Sequence, residues 1–209
     1  MSQHLVKKGA LPPGISSFTK IRLGWIRERQ VQIVKPGETS FTMLAPLSRG
    51  GETLAVKIPL DDGTYYLVEN RQQIGFDQIL PDSGMLVLKV NPQEDEGFGT
   101  VKVMCAGGER DFVRATYKLE LSNRNIFTDN SGIFRKNNIA IIPLWQEGDN
   151  LGVLITTPEQ SKAAIKAAQA IQALINQPGN EKDTTINEAI AAFKNKDFEK
   201  SFSIAKRKL

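Results

Sequence analysis

Between residues 19 and 156 apolar and polar positions alternate with a period near two, and turn residues recur about every eight to twelve positions. Residues 22–26, 31–34, 41–45 and 54–60 read as short strands. Residues 64–70, 85–91, 101–104, 111–121, 139–144 and 151–156 continue the series. With no helical period between them, the pattern predicts a mainly β domain, an antiparallel sandwich or a barrel. The clearest hairpin joins 54–60 to 64–70 through Asp61-Asp62-Gly63, where Asp-Gly supplies the positive φ of a tight turn. Gly148-Asp149-Asn150 predicts a second hairpin between the last two strands, and Pro36-Gly37 punctuates the sheet earlier.

At Thr157 the period changes. Thr157-Pro158-Glu159-Gln160 carries a Thr cap, a Pro at the first helical position and a Gln that completes a capping box. Ala164, Ala168, Ile171 and Ile175 then recur at helical spacing, and Gln177-Pro178-Gly179-Asn180 ends the helix. A second helix opens at Thr185-Ile186-Asn187-Glu188, with Ile186, Ile190 and Phe193 as its apolar face. After a turn at Asn195-Lys196-Asp197, Phe198, Phe202, Ala205 and Leu209 mark a last one. The chain therefore divides into a β-rich region, 1–156, and a small C-terminal helical hairpin, 157–209. The hairpin has no second copy of its period, so it reads as an appendage that packs on the sheet or bridges to another domain.

Composition changes this picture little. Of 209 residues, 40% are hydrophobic and 24% charged, which is ordinary for a folded chain. No apolar run approaches the roughly 20 residues of a membrane span, and no apolar stretch follows Lys7 and Lys8, so no secretory signal is read. The net charge of +4 is concentrated in residues 194–209, leaving residues 1–193 neutral. A basic stripe with interleaved aromatics on the folded part is missing, so neither nucleic acid nor membrane is expected as a partner.

Candidate chemistry is largely excluded. Zinc hydrolysis needs three protein ligands and an open position, whereas the only histidine is His4. The single cysteine, Cys105, follows an apolar run and has no histidine to activate it, so an inert thiol is expected. Gly97-Phe98-Gly99 lacks the third glycine of a phosphate cradle, and the carboxylates at 61–62 and 94–96 lack the spacing of a calcium loop. Carboxylates alone could serve a glycosidase, but nothing points to a sugar cleft. No catalytic, cofactor-binding or metal-binding residue is assigned.

The most unusual segment is Tyr65-Tyr66-Leu67-Val68-Glu69-Asn70-Arg71-Gln72, a strand that ends in four consecutive polar residues. Such a run forms either a satisfied structural network or a ligand surface. The network is the simpler reading, because buried polar groups generally find partners.

This segment, followed by Gly75-Phe76-Asp77 and Leu80-Pro81-Asp82-Ser83-Gly84-Met85, resembles the immune inhibitor A family of zinc metallopeptidases, metallopeptidase family six. Upstream, Lys20-Ile21-Arg22-Leu23-Gly24-Trp25 is similar to the family's lysine followed by L-G-W. Met1-Ser2 resembles the methionine–serine step after the zinc helix, and Ile139-Ala140-Ile141-Ile142-Pro143-Leu144 the apolar strand that closes the region. The likeness covers residues 1–156. Its signature residues here are Trp25, Tyr65, Tyr66, Glu69, Asn70, Arg71, Gln72, Asp77, Pro81 and Gly84, expected to be structural. Where relatives carry a Trp-His-Val-Asp-like run, this chain has Leu88-Lys89-Val90-Asn91.

The resemblance implies the non-catalytic C-terminal portion of a secreted-type peptidase, inactive in proteolysis on its own. Its zinc motif would lie N-terminal to Met1. Zinc is expected only with such an upstream part, which would also be the partner, in the same or a separate chain. Localisation outside the cell or in its envelope follows from the family alone. The alternative is a free-standing β-rich binding or scaffold module descended from such a peptidase, its helical tail docking a partner.

Overall fold

The computed structural model describes residues 9, 12–95, 97–129, 137–178 and 184–209. A short helix, α1 (Ser17–Arg22), precedes nine strands: β1 (Val31–Ile33), β2 (Ser40–Leu44), β3 (Ala55–Pro59), β4 (Tyr65–Arg71), β5 (Gly84–Val90), β6 (Val101–Val103), β7 (Phe127–Asp129), β8 (Ile139–Glu147) and β9 (Asn150–Thr156). Three helices follow, α2 (Pro158–Ile175), α3 (Thr184–Lys194) and α4 (Phe198–Lys206). The strands form a five-stranded sheet, β1-β3-β4-β5-β6, and a four-stranded sheet, β2-β9-β8-β7. Every pairing is antiparallel except β1 with β3. The mainly β reading holds, as two packed sheets rather than a closed barrel.

Strand alternation builds the layers. Ile58, Tyr66, Val68, Met85 and Val87 of the five-stranded sheet meet Leu44, Ile141, Val153 and Ile155 of the four-stranded sheet in one core. The opposite face of β8 and β9 presents Ile142, Leu144 and Leu154 to the helices, where Ala164, Ala168, Ile171, Phe193 and Phe198 cover them. Buried on both faces, β8 therefore reads as a nearly continuous apolar run. A register shift between Pro143 and Gln146 turns Trp145 to the same side as Leu144. There its ring is fully buried, 5.2 Å from Phe193 and 5.8 Å from Phe41. The three helices are thus a third layer on the four-stranded sheet, and both predicted hairpins are present at β3–β4 and β8–β9.

Two predicted strands are corrected. Residues 22–26 are the end of α1 and a tight turn. The Ser16 side chain accepts from the Thr19 amide at the helix start, and the amides of Trp25 and Ile26 both bond to the Lys20 carbonyl. In residues 111–121 Ala115, Thr116, Tyr117 and Leu119 are buried, so burial does not follow the alternation, and only Tyr117 pairs, in a single bridge to Met85. The Asp111 side chain instead caps a 3₁₀ turn at Phe112–Arg114. The unpredicted β7 is three residues long and ends in the buried acid Asp129, too short for a period to register.

Candidate functional site

Alternation along β4 splits the polar run between two faces. Tyr65, Leu67, Glu69 and Arg71 point away from the sandwich core, whereas Tyr66, Val68 and Asn70 point into it. On the outer face Glu69 and Arg71 are 0% and 6% exposed at the side chain, and Asp77, delivered by a 3₁₀ turn at Gly75–Ile79, is 1% exposed. Arg71 bridges both acids, with Nη1 3.0 Å from Glu69 Oε1 and Nη2 2.7 Å from Asp77 Oδ1. The same guanidinium donates to the Gly14 carbonyl at 2.8 Å and the Ile15 carbonyl at 3.4 Å. The acids take the neighbouring amides: Ser17 N–H donates to Glu69 Oε2 at 2.7 Å, and Gly14 N–H to Asp77 Oδ1 at 3.0 Å. Glu69 thereby sits at the first turn of α1, where the helix dipole favours negative charge.

Around this centre Lys20 Nζ donates to the Leu47 carbonyl at 2.6 Å. Burial, aided by the Arg71 charge, pulls the Lys20 ammonium below its usual range. Burial likewise pushes the Asp77 carboxyl up, against the pull of Arg71 and the Gly14 amide. Inside the sandwich Asn70 donates to the carbonyls of Leu44 and Asp149, both at 2.9 Å, and accepts from Gln72 at 2.8 Å. One strand end thus fastens the N-terminal segment outside and the four-stranded sheet inside. Every carboxylate oxygen contact named here is spent on an arginine or a main-chain amide, the composition of a clamp rather than of an acid–base pair.

The other signature residues are dispersed. Tyr66 is core, donating to the buried Asp129 at 2.7 Å, and burial pushes its phenol up. Tyr65 is half-buried, with the Lys57 ammonium 4.3 Å from its ring centre. Gly84 pairs with Arg71 across β4 and β5, and Pro81 is exposed. Trp25 is 65% exposed, so it is not brought into the network. Sequence reasoning missed a second ionic cluster, in which Asp82 meets Lys118 at 2.6 Å and Arg124 at 2.9 Å. Pairs so distant along the chain leave no local signal.

Beside the clamp lies an open groove of about 1390 Å³. Its floor is the outer face of β5 and β6 (Leu86, Leu88, Val101, Val103). Phe18 of α1 and Leu23 just after it line one side, and the loop around Phe112 the other. Cys105 also lines it, and burial raises its thiol, leaving less thiolate. Among the described residues no group of three or more His, Cys, Asp or Glu is arranged to hold a metal ion. His4 lies outside the described residues. No helix among them is long and apolar enough to cross a membrane. Compared with known proteins, the chain matches no family model, no curated protein and no solved structure.

Proposed function

We propose that this chain is the non-catalytic, β-rich portion of a secreted-type zinc metallopeptidase of the immune inhibitor A type, and that it buttresses a catalytic domain supplied from elsewhere. The observation that carries the reading is the convergence of three signature acids and bases, Glu69, Arg71 and Asp77, on residues 14–17. In the resembled enzymes that side of the chain leads toward the zinc helix. A clamp there would hold the junction between catalytic and β-rich parts in one geometry, a positioning task that needs no reactive group on this side. Zinc and its chemistry would belong to the other part.

The test is the mass of the native protein in its source cells, detected with an antibody to residues 194–209. A band well above 23.1 kDa supports the peptidase reading, and a band at 23.1 kDa overturns it in its single-chain form. Co-purification of a zinc peptidase with a 23.1 kDa band would support the separate-chain form.

The open groove favours a second reading, a free-standing binding module. It draws on the five-stranded sheet rather than on the helical tail, because the helices bury their apolar faces against the four-stranded sheet.

A further inference from the structure

The outer face of the five-stranded sheet is only partly roofed. α1 is six residues long and lies over β4, with Phe18 and Ile21 reaching the cluster around Leu67, Leu88 and Val90. Over β5 and β6 no described residue roofs the whole apolar face, and Leu86, Val101 and Val103 are only half-buried. The groove, about 1390 Å³, is open along this apolar floor rather than enclosed.

The edge of the sheet identifies the kind of occupant. β6 pairs with β5 on one side, and among the described residues no strand lies on its other side. Hydrogen-bond phase follows from Asn91 N–H to the Thr100 carbonyl and Met104 N–H to the Val87 carbonyl. In an antiparallel ladder with Lys89 opposite Lys102, the main chain of Lys102 faces β5, so the N–H and C=O groups of Val101 and Val103 face outward. Among the described residues the Val103 carbonyl has, across that edge, only a long Cys105 Sγ contact at 3.8 Å. An incoming helix has no use for such groups, whereas an extended chain pairs with them while sending every second side chain over the apolar floor. Around the groove Arg22, Lys102 and Arg110 are exposed against the single exposed acid Glu109, so the rim is net positive.

We propose that β6 is a strand-addition site. It takes an extended polypeptide segment of another chain, with alternating apolar residues and acidic residues between or beside them, as a further strand of the five-stranded sheet. The site does not depend on the peptidase reading.

The probe is a fluorescent synthetic peptide alternating valine with glutamate, titrated onto the full chain and followed by anisotropy. A second peptide of the same composition, rearranged to a helical period, serves as comparison. Saturable binding of the first and at least tenfold weaker binding of the second are expected. Val101→Pro deletes one outward N–H at the first position of an edge strand, where proline is tolerated, and is expected to weaken binding about tenfold with the thermal midpoint little changed. Amide exchange on the unsubstituted protein gives a readout that survives if that variant misfolds: Val103 N–H should slow when peptide is bound. Absence of saturable binding overturns the proposal. So does equal binding of the helical-period peptide, or unchanged Val103 exchange in the bound state.

Discussion

Replacing Arg71 by methionine tests the clamp most directly. The arginine is 6% exposed and neutralises two carboxylates that are 0% and 1% exposed. Methionine keeps much of the apolar stem but strands both acids. Removing one partner of a buried ion pair costs about 3–5 kcal/mol, and two stranded acids place this case toward the upper end. For a chain of this length that is a fall of roughly 6–20 °C in thermal midpoint. Urea unfolding followed by tryptophan fluorescence reads the loss, and tryptic cleavage after Lys20 should accelerate as residues 14–17 lose their anchors. The penalty should also depend on pH. Burial already holds the Asp77 carboxyl above its ordinary range against the pull of Arg71, so removing Arg71 raises it further. A carboxyl whose folded pKa is raised favours the folded state fully below its unfolded value of about 4 and loses that contribution as pH rises through the folded value. Arg71→Met should therefore cost less at pH 4 than at pH 7, and adding Asp77→Asn should restore part of the loss at pH 7. A neutral-pH loss below about 1 kcal/mol, the value of an exposed pair, would refute the clamp.

Three further substitutions probe the rest of the fold. Trp145→Ala empties the space between the four-stranded sheet and the helices and should cost about 3–5 kcal/mol by urea unfolding. Gly84→Ala should cost about 1–3 kcal/mol in the same assay, because φ is 135° and a Cβ would lie 2.7 Å from the Tyr117 carbonyl oxygen. Burial pushes the Asp82 carboxyl up, but its bonds to Lys118 and Arg124 outweigh this and hold it below the usual range. Its contribution is therefore present above about pH 4 and lost as pH falls through the lowered pKa. Asp82→Asn should lose about 1–2 kcal/mol at neutral pH and flatten the acid limb of the stability curve, read as urea midpoints across pH.

The strands that the sequence revealed are those with a strong period or a turn beside them. β3, β4 and their Asp-Gly hairpin, and β8 with β9, were legible because alternation and turn chemistry agree there. Residues 22–26 misled because Ile21, Leu23 and Trp25 alternate, while the local bonds of Ser16 and Lys20 close a helix. Residues 111–121 misled differently: Ala115, Thr116 and Tyr117 are buried in succession, and the backbone finds one bridge instead of a ladder. The bulge that turns Trp145 toward the helices is a pairing defect, which no one-dimensional pattern displays.

The candidate site was half legible for a related reason. That Glu69, Asn70 and Arg71 form a hydrogen-bonded network could be read from their types and from their place at a strand end, although the buried Arg71 Nε is left without a partner among the described residues. What they hold could not, because their partners lie at residues 14–17, 44, 77 and 149. A period of two makes neighbours in sequence serve opposite faces, so a three-residue polar run can tie the sandwich together inside and fasten the entering chain outside. That division also explains why the clamp leaves the groove next to it open. Arg71 and Glu69 spend their bonds on residues 14–17, which seats α1 over β4 and leaves β5 and β6 without a full roof among the described residues. A segment of another chain would cover this face, and the edge of β6, unpaired among the described residues, favours one that arrives extended.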